Sequence, residues 1–165
     1  MLKQLTVQNF IIVNHLNIGF EKGLTTITGE SGAGKSILLG ALNLILGQRS
    51  SADMVRPGTS HANITAEFEF GEMHQSRNIL EDAGIPIEEQ TGCLIRRTIS
   101  ADGGSKAFIN ETPVTLRFLQ ETTSTLINIC DQNENRNLTE TSSQMAFLDN
   151  YAGAADTATS TRELY

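Results

Sequence analysis

Apolar and β-branched residues are dense along the first part of the chain and predict strands. The densest stretches are Leu2–Val7 and Phe10–Phe20, and Gly19 and Gly23 interrupt the segment. Leu24–Thr28 is a short apolar and β-branched run that ends directly before a glycine. Such a run is typical of a buried strand that enters a tight loop. The chain is therefore predicted to begin with strands and then to turn sharply.

A largely buried helix is predicted after that turn. Apolar residues in Lys35–Leu46 cover most of the helical circumference, so little of this helix is expected to face solvent. Gly47 stands where a helix C-terminus is usually found. Three further helices are predicted at Met73–Ala83, Thr115–Thr123 and Ser142–Tyr151.

The middle of the chain contains an alternating pattern that is typical of antiparallel strands. In Ala62–Phe70 the even positions are apolar and the odd positions polar, as in a strand with one solvated face. Cys93–Ile99 and Lys106–Asn110 are predicted to be two strands joined by a hairpin turn at Asp102–Gly104. Leu126–Cys130 is predicted to be another short buried strand.

Composition limits the class of protein. The chain has 165 residues, of which 39% are apolar and 5% aromatic, which suits one α/β domain or a little more. No apolar run approaches the roughly 20 residues that span a bilayer, and Met1–Gln4 does not resemble the start of a signal peptide. Cys93 and Cys130 match no metal-ligand spacing and are predicted to be reduced thiols near the core. These features favour a cytoplasmic protein with no membrane contact.

The charge of the chain argues against a strongly basic surface. The formal net charge is −7 and the pI is about 4.9, whereas proteins that bind nucleic acid non-specifically usually carry a basic face. Arg96, Arg97 and Lys106 come nearest to a basic cluster. A solvated strand edge is the favoured interpretation of these three residues, with a local DNA contact as the alternative.

The turn after Thr28 carries the clearest chemical motif. Residues 29–36 fit the pattern G-x-x-x-x-G-K-[ST] of a phosphate-binding loop. The residues predicted to bind the nucleotide are Gly29, Glu30, Ser31, Gly32, Ala33, Gly34, Lys35 and Ser36. The motif predicts binding of a nucleoside triphosphate, taken to be ATP, together with Mg²⁺.

Each fixed residue of this motif has a physical reason. Glycines let the backbone approach the phosphates closely, so that successive N–H groups point inward and cradle them. The following helix directs its partly positive N-terminus at the same anion. Lys35 can reach the β- and γ-phosphates, and the Ser36 hydroxyl can bind Mg²⁺.

Binding a triphosphate does not imply hydrolysis of it. Phosphoryl transfer also requires a further carboxylate for Mg²⁺ and a group that positions the attacking water. No apolar run in the chain ends in a carboxylate pair, and Asp131 alone is ambiguous.

Several segments together resemble the N-terminal part of proteins of the RecN family. These proteins are bacterial DNA-repair ATPases of the SMC-like branch of the ABC ATPases. The matching segments are Leu2–Val13, Ile27–Ser36, Leu46–Arg49, Ala52–Gly58 and Phe108–Asn110. Together they extend the resemblance over residues 1–151. The phosphate-binding loop alone would not select this family, whereas the flanking segments do.

The resemblance implies an α/β fold of the P-loop NTPase class. The chain would form the N-terminal lobe of an ABC/SMC-type head, with a mixed sheet and an antiparallel β subdomain. Residues 1–153 would be this lobe, and residues 154–165 would begin a truncated coiled-coil helix. The signature motif, the carboxylate pair and the switch histidine would lie on a C-terminal lobe of the same protein. ATPase activity would then require that lobe, and this chain alone would be inactive.

The resemblance also assigns roles to two residues outside the loop. Gln132 corresponds to the glutamine that contacts Mg²⁺ and the attacking water, which makes it a metal-binding and catalytic candidate beside Lys35. The histidines that usually surround this glutamine in the family are replaced here by Cys130, Asn133 and Asn135. Arg56 corresponds to an arginine that couples bound ATP to DNA, and a surface arginine before a turn is the equally weighted alternative.

The function implied is DNA double-strand-break repair and recombination, with ATP-driven dimerisation of two heads, in the cytoplasm at the nucleoid. Other interpretations remain open. One is a self-contained small P-loop kinase or NTPase, which would need its own magnesium carboxylate and an arginine-bearing lid. Another is a non-catalytic interaction module, and a third is the head of a different SMC-like protein.

Overall fold

The structure is a computed structural model of the chain. It describes residues 1–28, 33–69, 75–87 and 92–127, and residues 129, 144, 145, 148, 149, 152, 154, 157 and 161 individually. The chain divides into two compact units, Met1–Asn128 and Ile129–Tyr165. The boundary predicted at residues 153 and 154 is a different one, and it stays a prediction.

Six strands and three α-helices lie in the described part of the first unit. The strands are β1 (Leu2–Phe10), β2 (Val13–Gly19), β3 (His61–Phe68), β4 (Cys93–Ser100), β5 (Ser105–Ile109) and β6 (Thr112–Val114). The helices are α1 (Ala33–Ile45), α2 (Gln75–Asp82) and α3 (Leu116–Ser124), and a short 3₁₀ turn covers Ala52–Met54. In the second unit, the described residues of the helix predicted over residues 142–151 are helical.

The six strands form one sheet in the order β2-β1-β3-β4-β5-β6, and every pair is antiparallel. The register places Ile64 of β3 between Val7 of β1 and Arg97 of β4. The predicted hairpin between β4 and β5 is confirmed, and Asp102 accepts a hydrogen bond from the Gly104 amide within its turn. The predicted antiparallel β subdomain is therefore confirmed.

Strict alternation sorts the side chains of the central strands onto two faces. In β3 the inward positions are occupied by Ala62, Ile64, Ala66 and Phe68, all fully buried. The outward positions of the same strand are polar and only partly buried. Helix α1 packs against β3 and β4, so the inner face of the sheet and this helix together form the core.

Helix α1 ends as the sequence predicts. Gly47 adopts a left-handed φ of 84°. Its amide donates to the carbonyl of Leu44, and the amide of Gln48 donates to the carbonyl of Asn43. This pair of bonds is a Schellman motif, which favours glycine because a β-carbon is strained at that φ.

Two of the predicted strands are wrong. Residues 24–28 form no strand, and Leu24 and Ile27 are 95% and 44% exposed. Leu126, Ile127 and Ile129 of the predicted strand Leu126–Cys130 also lie outside any strand, and Asn128 and Cys130 lie outside the described residues. Both runs have the composition of a strand, but neither pairs with another strand among the described residues, and the amides of Leu126 and Ile127 donate instead to the Thr123 carbonyl at the end of α3. A strand needs a neighbouring strand because its backbone groups are otherwise left unpaired.

Strand β6 is an element that sequence patterning missed. It contains only three residues, one of them Pro113, and it lies at the sheet edge where a proline is tolerated. The turn before it places Asn110 and Glu111 at positive φ, as a two-residue hairpin requires. The Asn110 side chain accepts from the Leu94 amide and donates to the Pro86 carbonyl, which fixes the turn.

No helix in the described ranges is long and apolar enough to cross a membrane.

We expect Gly47→Ala to destabilise the fold more than Gly58→Ala does. Both glycines have nearly the same φ, 84° and 85°, so alanine costs about 1 kcal/mol of backbone strain at either site. A β-carbon at Gly47 would also lie 2.5 Å from Cγ of Gln120, whereas at Gly58 it meets nothing within 4 Å. We predict a difference of about 1–3 kcal/mol in the free energy of unfolding, measured by urea titration. Equal destabilisation by both variants would contradict this account.

Candidate nucleotide-binding site

The first turn of α1 presents the two charged and polar side chains of the phosphate-binding motif. The helix begins at Ala33, so Gly34, Lys35 and Ser36 occupy its first turn. All three are exposed, although the next residues, Ile37 and Leu38, are buried. The helix therefore rests its apolar side on the sheet and leaves the start of its first turn accessible.

This helix start suits an anion. The first backbone N–H groups of a helix have no partner within it, and the aligned peptide dipoles make that end partly positive. The first turn contains no acidic residue. A β-carbon at Gly34 would meet nothing within 4 Å, so the approach is sterically open. The Lys35 ammonium and the Ser36 hydroxyl are the groups that a magnesium triphosphate requires there.

The remaining candidates of the motif lie outside the described residues. Gly29, Glu30, Ser31 and Gly32 belong to this set, and Ala33 is described by its backbone alone. Gln132 is also outside the described residues, as are Asp131 and the residues that flank them. The roles predicted for these residues stay predictions. No cluster of three histidine, cysteine or acidic side chains that could hold a metal ion occurs in the part of the chain that the structure describes.

Arg56 is described, and its backbone is firmly held. Its amide donates to the Asn9 carbonyl at 2.8 Å, and its carbonyl accepts from both the amide and the hydroxyl of Thr59. Residue Val55 before it bridges to Phe10 at the end of β1. The ring of Phe10 lies 3.7 Å from the position of a β-carbon on Gly40, so Phe10 packs beside the middle of α1. A continuous set of contacts therefore links Arg56 to the helix that carries Lys35.

The turn beside Arg56 contains strained backbone. Asn9 and Ile11 both have a φ of 52°, a left-handed conformation that is unusual for a β-branched residue such as isoleucine. The Ile11 amide donates to the Met54 carbonyl at 2.9 Å, in addition to the hydrogen bond from the Arg56 amide to the Asn9 carbonyl. The 3₁₀ turn and the β1–β2 turn are thus joined at two points. Sequence patterning registers only that Asn9 breaks the alternation of β1.

The three basic residues near the β4–β5 hairpin do not act as one surface cluster. Arg96 pairs with Glu111 on the outer face of the sheet, and its guanidinium carbon lies 4.4 Å from the ring centre of Phe108. Arg97 points to the opposite face and is fully buried. The interpretation of a solvated strand edge is therefore wrong for Arg97. Alternation predicts this, because Arg97 is in phase with Cys93, Ile95 and Ile99.

Arg97 binds the C-terminal end of α1. Its Nη1 donates to the Leu44 carbonyl at 3.2 Å and to the Gln48 carbonyl at 3.4 Å, and its Nη2 donates to the Ser105 hydroxyl at 3.2 Å. Burial lowers the pKa of this guanidinium. Gln120 of α3 binds the same end of α1 by donating to the Gly47 carbonyl at 2.9 Å. The helix that presents Lys35 is thus held at its far end by two other elements.

Cys93 agrees with the prediction of a structural thiol. It is buried and forms no disulfide, and burial raises the pKa of its thiol to about 12. Such a thiol is inert at neutral pH. Cys130 lies outside the described residues.

Comparison with known proteins connects this geometry to a family. A family profile described as an AAA domain matches residues 4–162. The DNA repair protein RecN of Vibrio cholerae is 43% identical over the whole chain, which spans 29% of that protein. RecN of Haemophilus influenzae is 41% identical over the whole chain, and RecN of Bacillus subtilis is 36% identical over 93% of it. The chain thus spans less than a third of the length of the curated relatives that it matches.

Solved structures show the same architecture. A chain from work on ATP-driven dimerization and DNA-stimulated activation of SMC ATPases matches with a TM-score of 0.60. That chain is 23% identical, and the alignment covers 90% of this chain and 97% of that one. The Smc head domain of Pyrococcus furiosus matches with a TM-score of 0.58 and 26% identity, over 75% of this chain and 32% of that chain. The α/β fold class of an SMC-type head is therefore confirmed.

Lys35 and Ser36 belong to a glycine-rich sequence motif and stand in the first turn of α1, and the match to the AAA domain profile identifies this region as the nucleotide-binding part of a P-loop ATPase domain. The resemblance to RecN stated from the flanking sequence segments is also confirmed. The chain belongs to the AAA domain family, and its sequence is similar to the N-terminal part of the RecN DNA repair proteins.

Proposed function

We propose that this chain is the ATP-binding lobe of a RecN-type ATPase for DNA double-strand-break repair and recombination. The observation that carries the proposal is the exposed first turn of α1, where Lys35 and Ser36 follow the glycine-rich loop. The similarity to RecN proteins over the whole chain supports the choice of family.

The chain's own residues bind ATP and its magnesium ion. Backbone amides of the loop and of the first turn of α1 hold the phosphates. Lys35 neutralises charge on the β- and γ-phosphates, and the Ser36 hydroxyl is a magnesium ligand. When bound, Mg²⁺ would neutralise part of the negative charge of the triphosphate.

Catalysis belongs to a composite site. Gln132 would contact the magnesium ion and position the attacking water, and Arg56 would couple the bound nucleotide to DNA. The carboxylate pair and signature motif would come from a C-terminal lobe of the same protein and from a second head. ATP would then bridge two heads and act as a dimerisation switch, because its γ-phosphate contacts both surfaces.

The full-length protein would bind DNA in the cytoplasm, in association with the nucleoid. The net charge of −7 implies that any DNA contact on this chain is local. The buried position of Arg97 removes it from such a contact and leaves Arg96 and Lys106 on the outer face.

We expect Lys35→Ala to weaken binding of Mg-ATP by about tenfold or more, which corresponds to about 1.4 kcal/mol or more. The reason is the loss of the only side-chain cation in the motif. Isothermal titration calorimetry on the purified chain measures the affinity. Lys22→Ala removes an exposed lysine outside the motif and is the matched control. Equal affinity of wild type and Lys35→Ala would favour the non-catalytic interaction module.

We expect Ser36→Ala to remove most of the magnesium dependence of ATP binding. The affinity of the wild type should fall when EDTA removes Mg²⁺, because the ion shields the phosphates and binds the Ser36 hydroxyl. The variant should respond far less to EDTA. Ser51→Ala, at an exposed serine whose hydroxyl caps no helix, should respond as the wild type does. A variant with unchanged EDTA sensitivity would show that Ser36 is not a magnesium ligand.

We expect the 165-residue chain alone to hydrolyse ATP negligibly, because the proposed composite site also requires groups from a C-terminal lobe and a second head. Phosphate release measured over a range of chain concentrations tests this. Robust turnover that disappears in Lys35→Ala would contradict the composite site and support a self-contained NTPase.

A further inference from the structure

Arg97 is the largest fully buried side chain in the described part of the first unit. It projects from the inner face of β4, where the neighbouring inward positions on either side are occupied by Ile95 and Ile99. An arginine at such a place costs much more free energy than an aliphatic side chain would, unless its charge and donors are compensated. The compensation therefore indicates what this residue does.

The compensation comes from the C-terminal end of α1. No described carboxylate pairs with Arg97; its acceptors are the Leu44 and Gln48 carbonyls and the Ser105 hydroxyl. Nε of the guanidinium has no hydrogen-bond partner among the described residues. The last carbonyls of a helix carry the negative end of its dipole, so a buried cation at this point is favourable. Arg97 is thus matched to the helix terminus and to little else.

Hydrogen bonds from Arg97 fix α1 in a way that apolar packing does not. The apolar contacts of Leu38, Ala41 and Ile45 hold the helix on the sheet, but such contacts are non-directional and permit sliding and tilting. Two donors from one planar guanidinium define both the position and the rotation of the helix end. Gln120 adds a third donor from the side of α3.

The length of α1 turns a small tilt into a large displacement of the phosphate-binding end. A 13-residue helix rises by about 18 Å between its first and last residues. A tilt of about 10° around the anchored end would therefore move the first turn by about 3 Å. A hydrogen bond to a phosphate tolerates a change of only a few tenths of an ångström in its donor–acceptor distance. Such a movement would therefore separate the first-turn donors from the anion.

We propose that Arg97 is a positioning residue for nucleotide binding, which acts through α1 by fixing the helix end opposite Lys35 and Ser36. The inference rests on the proposed ATP-binding function. Arg97 does not itself touch the nucleotide, since it is fully buried at the other end of the helix.

The test compares Arg97→Met, Arg97→Lys and Ile99→Ala in the 165-residue chain. Arg97→Met keeps an unbranched, largely apolar stem but removes the guanidinium with its charge and donors, and Arg97→Lys keeps the charge and one donor group. Ile99→Ala destabilises the same strand at a fully buried position whose side chain has no polar group to bind α1. Thermal unfolding gives the stability of each variant, and Mg-ATP affinity is measured well below the lowest midpoint.

Arg97→Met is expected to bind Mg-ATP about 10- to 100-fold more weakly than wild type, with partial recovery in Arg97→Lys. Ile99→Ala should bind Mg-ATP as tightly as wild type does, even if its thermal midpoint falls as far as that of Arg97→Met. The inference is overturned if Arg97→Met binds normally, or if Ile99→Ala loses as much affinity at matched stability. If Arg97→Met does not fold, the same criteria apply to Arg97→Lys against Ile99→Val.

Hydrogen exchange separates this inference from the proposed function. The amides of Leu46, Gly47 and Gln48 close the end of α1, and they should exchange faster in Arg97→Met but not in Ile99→Ala. Faster exchange with normal Mg-ATP affinity would leave Arg97 a purely structural role and overturn the inference. If the wild type binds no Mg-ATP, the proposed function fails. The exchange comparison then still decides whether Arg97 anchors the helix.

Discussion

The packing of α1 on the inner face of the antiparallel sheet places the phosphate-binding motif. Ile37, Leu38, Ala41, Leu44 and Ile45 are all buried against the sheet and its neighbours, while Gly34, Lys35 and Ser36 remain exposed. Burial of these five side chains contributes on the order of 5–10 kcal/mol to the folded state by area-based estimates. The packing of the core therefore determines the position of the site. The core in turn requires the alternation of buried and outward side chains along β3 and β4.

Local pattern was sufficient where one physical rule dominated. Alternation in residues 62–70 identifies β3, and the turn at residues 102–104 between two strand-forming runs identifies β4, β5 and the hairpin that joins them. The helical pattern after the motif located α1 to within two residues at its start and one at its end. The formation of these elements depends on their own side chains and on the nearest strand. A single sequence therefore contains most of the information needed to locate them.

Local pattern failed where an element depends on a distant partner. The run at residues 24–28 has the composition of a strand and remains outside the sheet, because strand formation also needs a neighbour with the right register. The charge of Arg97 predicts a surface position, although its phase in β4 is that of the inward residues. Its burial depends on acceptors at the end of α1, and one of them, the Gln48 carbonyl, is 49 residues away in sequence. The candidate site shows the same division, since Lys35 and Ser36 follow from the motif whereas Gln132 and Arg56 required the family resemblance.

The exposure of Leu24 and Ile27 has a consequence for the behaviour of the isolated chain in solution. A run of strand-forming residues that presents apolar side chains to water attracts any complementary edge, including the same segment of another molecule. Association of that kind grows with concentration and is opposed by the mutual repulsion of chains that each carry a net charge of −7. Added salt would screen this repulsion, so colloidal stability of the purified chain should depend on low ionic strength.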